Sequence, residues 1–161
     1  MKSLGILSAG LVFAAALGTV ASGDDHVDPA VMKAVKARQA QMQLYAFNLG
    51  QLGAMAKGEV DYDAGAASAA AGNLAKLTSL NGRAVWLPGS DDATLGEDVT
   101  AALPAIWEEG SEIGDKAKAL SMAAAEMESA AGDGLDALRG AIGDVGKSCG
   151  GCHEDYRRSD D

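Results

Sequence analysis

Between residues 135 and 156 the less polar side chains return at alternating steps of three and four: Leu135, Leu138, Ile142, Val145, Cys149, Cys152 and Tyr156. Only a helix keeps such a series on one face, and a stripe sustained for six turns requires other helices to cover it. A second seam with the same spacing runs Val31, Val35, Arg38, Met42, Tyr45, Leu49 and Leu52, and a third runs Ile106, Gly110, Ile113, Ala117, Leu120, Ala124 and Met127. A weaker one, Ala67, Ala70, Leu74 and Leu77, has small side chains that allow close backbone approach. Composition agrees: aromatics are 4% of 161 residues, Ala is about a fifth, and there are three Pro. That is a helix former's usage and disfavours a β-sandwich or barrel.

Punctuation sets the boundaries. Asp28-Pro29 pairs an N-cap with Pro at the first helical position, and Gly58 ends the helix that follows. The second helix is expected from about Tyr62 to Leu80, the third from Thr100-Ala101 or Pro104 to about Ala130, and the fourth after Gly132-Asp133-Gly134. Asn81-Gly82 and Leu87-Pro88-Gly89-Ser90-Asp91 carry turn chemistry, so residues 81–98 form the longest irregular link. Helices of this length with short links predict an all-α, antiparallel, up-down-up-down four-helix bundle in one domain.

Residues 1–23 read as an address. Lys2 precedes an uncharged run over residues 4–20, then Ala21-Ser22-Gly23 and the acidic Asp24-Asp25. Basic start, apolar run and small-residue cleavage site define a secretory signal, and the Ala- and Gly-rich run is marginally short for a membrane span. Cleavage leaves residues 24–161 as the exported, periplasmic domain, with no stable membrane insertion. The whole chain has 13 Lys+Arg against 23 Asp+Glu, a net charge of −10; losing Lys2 gives 12 − 23 = −11. Backbone phosphates need concentrated Lys and Arg, so a nucleic-acid partner is disfavoured.

The chemistry is concentrated in Cys149-Gly150-Gly151-Cys152-His153. C-x-x-C-H in an exported chain is the attachment signature of c-type haem. On a helix, positions i, i+3 and i+4 share a face, so two thiols can meet the two vinyl groups while the imidazole aims at the iron. The glycines lie where the porphyrin edge must approach the backbone. A thioredoxin-like dithiol would need a βαβ setting with Cys at a helix N-terminus, and zinc would need a fourth ligand, whereas the second His of the chain, His26, stands near the start. A disulfide at this spacing would close too small a loop to stabilise much. One covalently attached haem c is therefore expected, with Cys149 and Cys152 binding it and His153 ligating the iron.

Arg38 interrupts the first seam between Val35 and Met42. A guanidinium there either snorkels outward or needs a partner, and a haem supplies two propionates for its fork; the adjacent Gln39 adds a donor. Met42, one turn on, would face the haem from the side opposite His153. It serves either as the sixth ligand of a low-spin carrier or as an apolar lid over an open iron face.

At this point the chain resembles the class II c-type cytochromes, which include cytochrome c′ and a low-spin six-coordinate branch. The resemblance covers essentially all of the mature chain. It rests on the C-terminal Cys149-Gly150-Gly151-Cys152-His153 running into Tyr156-Arg157, and on Arg38-Gln39 followed by Met42 in the first helix. Lys57-Gly58-Glu59 with Tyr62-Asp63-Ala64, and Pro104-Ala105-Ile106-Trp107, add to it; Trp86, where relatives more often carry Phe, departs from it. The resemblance implies a bundle with haem inserted between helices, Met42 at the distal position, and Arg157 near the proximal iron face. Members of the cytochrome c′ branch commonly pair through the first two helices; Leu44 and Phe47, off the main seam, either supply such a homodimer interface or face helix two.

Two functions follow. A one-electron carrier cycles its iron between two valences and meets redox partner proteins, its acidic surface steering it to basic patches. A five-coordinate relative binds a diatomic gas, nitric oxide or carbon monoxide. An enzyme is not expected, because no His, Asp or Glu on the distal seam is placed to move protons.

Overall fold

A computed structural model describes residues 27–159. The expected leader and His26 lie outside those residues. The described residues form five α-helices: α1 Pro29–Lys57, α2 Ala64–Thr78, the single turn α3 Asp92–Leu95, α4 Ile113–Ala130 and α5 Leu135–Tyr156. The four long ones form the bundle. α1 packs on α2 and α5, α4 packs on α2 and α5, and the described residues contain no β-strand beyond one isolated bridge.

Local chemistry explains the ends. Asp28 Oδ1 accepts from the Ala30 amide at 2.8 Å, Pro29 sits inside the first turn, and Gly58 closes α1 at φ 77°. Only a residue without Cβ adopts that left-handed cap cheaply. Asp63 caps α2 through Ala66 N at 2.7 Å. Between α4 and α5, the Tyr62 hydroxyl donates to Ala131 O and accepts from Gly134 N, so a side chain from the start of α2 pins the turn.

The aliphatic core occupies one half of the bundle. Leu52 and Met55 from the end of α1 meet Ala67, Ala70, Ala71 and Leu74 of α2, Ala123, Ala124 and Met127 of α4, and Leu138 and Val145 of α5. Leu138 is 0% exposed. Leu138→Ala should cost about 3 kcal/mol through lost burial and the cavity left behind, read as a lower urea midpoint with unchanged slope.

One expectation needs correction. The third long helix starts at Ile113, not near residues 100–104: Pro104–Trp107 is a separate 3₁₀ turn, and Gly110 at φ 86° breaks the backbone before α4. The spacing of Ile106, Gly110 and Ile113 imitates a helical seam, but Gly110 takes a conformation no helix contains. The irregular link therefore spans residues 79–112. Within it Asp91 and Asp92 are buried at 7% and 9% exposure.

Candidate functional site

The other half of the bundle contains a cleft. Two hollows of about 530 and 390 Å³ share Met42, Trp86, Ile106, Ile113 and Cys152 in their walls. The larger is also lined by Arg38, Gln39, Thr100, His153, Tyr156 and Arg157, and the smaller by Tyr45, Trp107, Lys116 and Leu120 among others. Their size and mainly apolar walls suit a large flat ligand, and neither wall contains an Asp or Glu.

α5 brings the sulfurs and the imidazole to this cleft. Cys149 and Cys152 form no disulfide and are both half-buried; Cys152 stands in both walls and Cys149 packs on the edge of the core. Burial pushes both thiols up, and for Cys152 Lys116 opposes the rise. Burial, with Arg157 adding repulsion, lowers the His153 pKa, so the imidazole is held neutral, the form that ligates metals. Among the described residues no group of three His, Cys, Asp or Glu could hold a metal ion on its own. An iron held here would draw one imidazole from α5 and need a group such as a porphyrin for its other ligands, which is what this donor set fits.

From α1, Met42 projects into both hollows and is 37% exposed. Arg38 lies behind it at 4% exposure, so it does not snorkel. Its Nη1 donates to Ser90 Oγ at 2.8 Å and Val85 O at 3.2 Å; its Nη2 donates to Ser90 O at 2.9 Å and Thr100 Oγ1 at 3.1 Å. The guanidinium carbon stands 4.7 Å from the ring centre of Trp86 and 5.9 Å from that of Trp107. None of these acceptors is a carboxylate. The cation is desolvated in the wall of the cleft with its charge unneutralised by them. Gln39 Nε2 donates to Val99 O at 2.9 Å.

Several of these residues escaped the sequence reading. Trp86 stood out only as a departure, yet it walls both hollows, stacks on Arg38 and accepts at its carbonyl from Trp107 Nε1 at 3.2 Å. Tyr156 read as seam, but it lines the cleft and its hydroxyl accepts from Glu112 N at 2.7 Å, supplying α4 with an N-terminal cap from another helix. Ser90 and Thr100 carried no local signal.

A four-helix bundle with C-x-x-C-H at the end of its last helix, opening on an apolar cleft, defines a c-type cytochrome with haem between its helices. The family model described as Cytochrome C′ matches residues 33–157. The chain is 42% identical over 131 residues to cytochrome c-554 of Cereibacter sphaeroides, covering 81% of this chain and 96% of that one. The solved cytochrome c′ from Rhodobacter spheriodes superposes with a TM-score of 0.75 at 39% identity, over 79% of this chain and 96% of the other. A nitric oxide complex of a variant cytochrome c prime from Alcaligenes xylosoxidans gives a TM-score of 0.69 at 34% identity, over 81% and 98%. The chain belongs to the cytochrome c′ family, and its cofactor is one covalently bound haem c.

Proposed function

We propose that this cytochrome is a periplasmic one-electron carrier, exported by residues 1–23, with Cys149 and Cys152 as the thioether positions, His153 as proximal ligand and Met42 as sixth ligand. When bound, haem supplies an iron that changes valence by one electron. The protein's residues do the rest. The α5 face orients the thiols and keeps His153 neutral; the indoles of Trp86 and Trp107 and the side chain of Ile106 exclude water; Arg38 and Gln39 face the propionate edge. The presence of Met42 from α1 and His153 from α5 in the lining of one cleft is the observation that carries the reading. No acid or base from Asp or Glu lines the cleft, which supports a carrier over an enzyme.

Met42→Leu tests it. A thioether ligand predicts that the dithionite-reduced wild type has sharp, split visible bands and that Met42→Leu has a broad, unsplit one. Identical broad bands in both make Met42 a lid. The second reading, an open iron that binds nitric oxide or carbon monoxide, then takes over; it is favoured by the nitric oxide complex of the Alcaligenes relative.

Partner contacts belong to this proposal too. With 23 acidic against 13 basic residues, encounter with basic patches of redox partners should slow as salt rises. The α1–α2 face carries Leu44, Phe47 and Leu80 at 48, 67 and 60% exposure around a hollow of about 380 Å³. We assign this face to the homodimer. Phe47→Asp should convert a sedimenting dimer to monomer without changing the absorption spectrum.

A further inference from the structure

The segment between α2 and α4 is fastened at both sides of the cleft. On the α1 side, Arg38 holds Val85, Ser90 and Thr100, and Gln39 holds Val99. On the α5 side, Leu103 N donates to Tyr156 O at 3.0 Å and Arg158 N to Ala101 O at 2.9 Å, an antiparallel bridge pairing Ala102 with Arg157. Arg158 then reaches across this bridge. Its Nε donates to Asp92 Oδ2 at 3.2 Å and its Nη2 to Glu97 O at 2.9 Å, with Glu97 Oε2 3.7 Å from Nη1. Asp92 is 9% exposed and donates its own amide to Ala102 O at 2.9 Å. One segment thus spans from the helix of Met42 to the residues just past His153.

We propose that Asp92 and Arg158 are a positioning pair: their ion pair sets how closely α1 and the end of α5 approach, and so how readily the Met42 side of the iron opens. The proposal rests on the haem site described above. A desolvated carboxylate whose partner is removed loses far more than an exposed one does, so breaking the pair should release the 101–103 bridge and let the two walls part. Neither residue lines the cleft. Their effect must therefore pass through the segment.

Carbon monoxide is the probe, because opening the Met42 side favours it whether Met42 ligates or only covers the iron. In the haem-loaded protein, Asp92→Asn and Arg158→Gln should each tighten the carbon monoxide dissociation constant about tenfold, and the double variant should match the singles, as coupled positions do. Arg158→Lys should restore most of the wild-type value. Affinities unchanged in variants that melt earlier would make the pair structural only and overturn the proposal. Should the variants fail to take up haem, amide exchange in the wild-type holoprotein decides. Carbon monoxide should then speed exchange at Leu103 and Arg158 about tenfold or more, and unaltered exchange overturns the proposal. The wild-type spectrum, with or without a shift on adding the gas, tests the haem site separately.

Discussion

Replacing Cys149 and Cys152 together by alanine should leave a chain without a cooperative melting transition. The core explains why. Seven of the fifteen buried apolar residues are Ala, and the larger ones (Leu52, Met55, Leu74, Met127, Leu138 and Val145) gather in the half of the bundle remote from Arg38 and Met42. The cleft half has Val35 and Ile106 as its buried aliphatics, with Met42 over a third exposed. Its walls meet through the group between them. Loss of that group removes on the order of 5 kcal/mol or more of linked folding energy, comparable to the net stability of a domain this size. Near-ultraviolet dichroism should fade while far-ultraviolet helix signal is only reduced, since α1 to α5 keep good helix formers. A sharp transition close to the wild-type temperature would show that the aliphatic half suffices.

Arg38→Leu should be the most costly single change outside the haem attachment residues, at about 3–5 kcal/mol. Its four Nη hydrogen bonds go to acceptors at or near burial, and Ser90 at 0% and Thr100 at 6% exposure cannot turn to water once it is gone. The indoles of Trp86 and Trp107 lose a cation between them. Arg38→Lys keeps the charge but not the planar fork, so it should recover less than half of the loss. Urea midpoints measure this directly; a shift in Arg38→Leu equivalent to under 1 kcal/mol would mean the segment from 85 to 100 is held by something else.

The two cases also mark where a sequence can be read. Steps of three and four disclosed α1, α2 and α5 and the end of α4, because a helix writes its buried face into neighbouring positions. C-x-x-C-H marked Cys149, Cys152 and His153 as candidates on one helical face for the same reason: its geometry is local. Arg38 was conspicuous as a charge in a seam, but its acceptors lie 47 to 62 positions away. Asp92 and Arg158 are 66 apart, and each looks like ordinary surface charge in its own neighbourhood. The start of α4 was misread because Ile106 and Ile113 differ by one heptad while belonging to different elements, and the positive φ of Gly110 is visible only in the backbone. Long-range polar contacts and left-handed glycines leave no periodic trace, and they organise the 79–112 link that closes the cleft.

The proposed haem is attached to α5 through Cys149 and Cys152. Intact mass of the exported protein under denaturing conditions, with alkylation of any free thiol, tests it most directly. The chain should retain the mass of one haem after denaturation, and neither cysteine should be alkylated. A chain at its bare polypeptide mass, with both thiols modified and pigment released into the solvent, would contradict it.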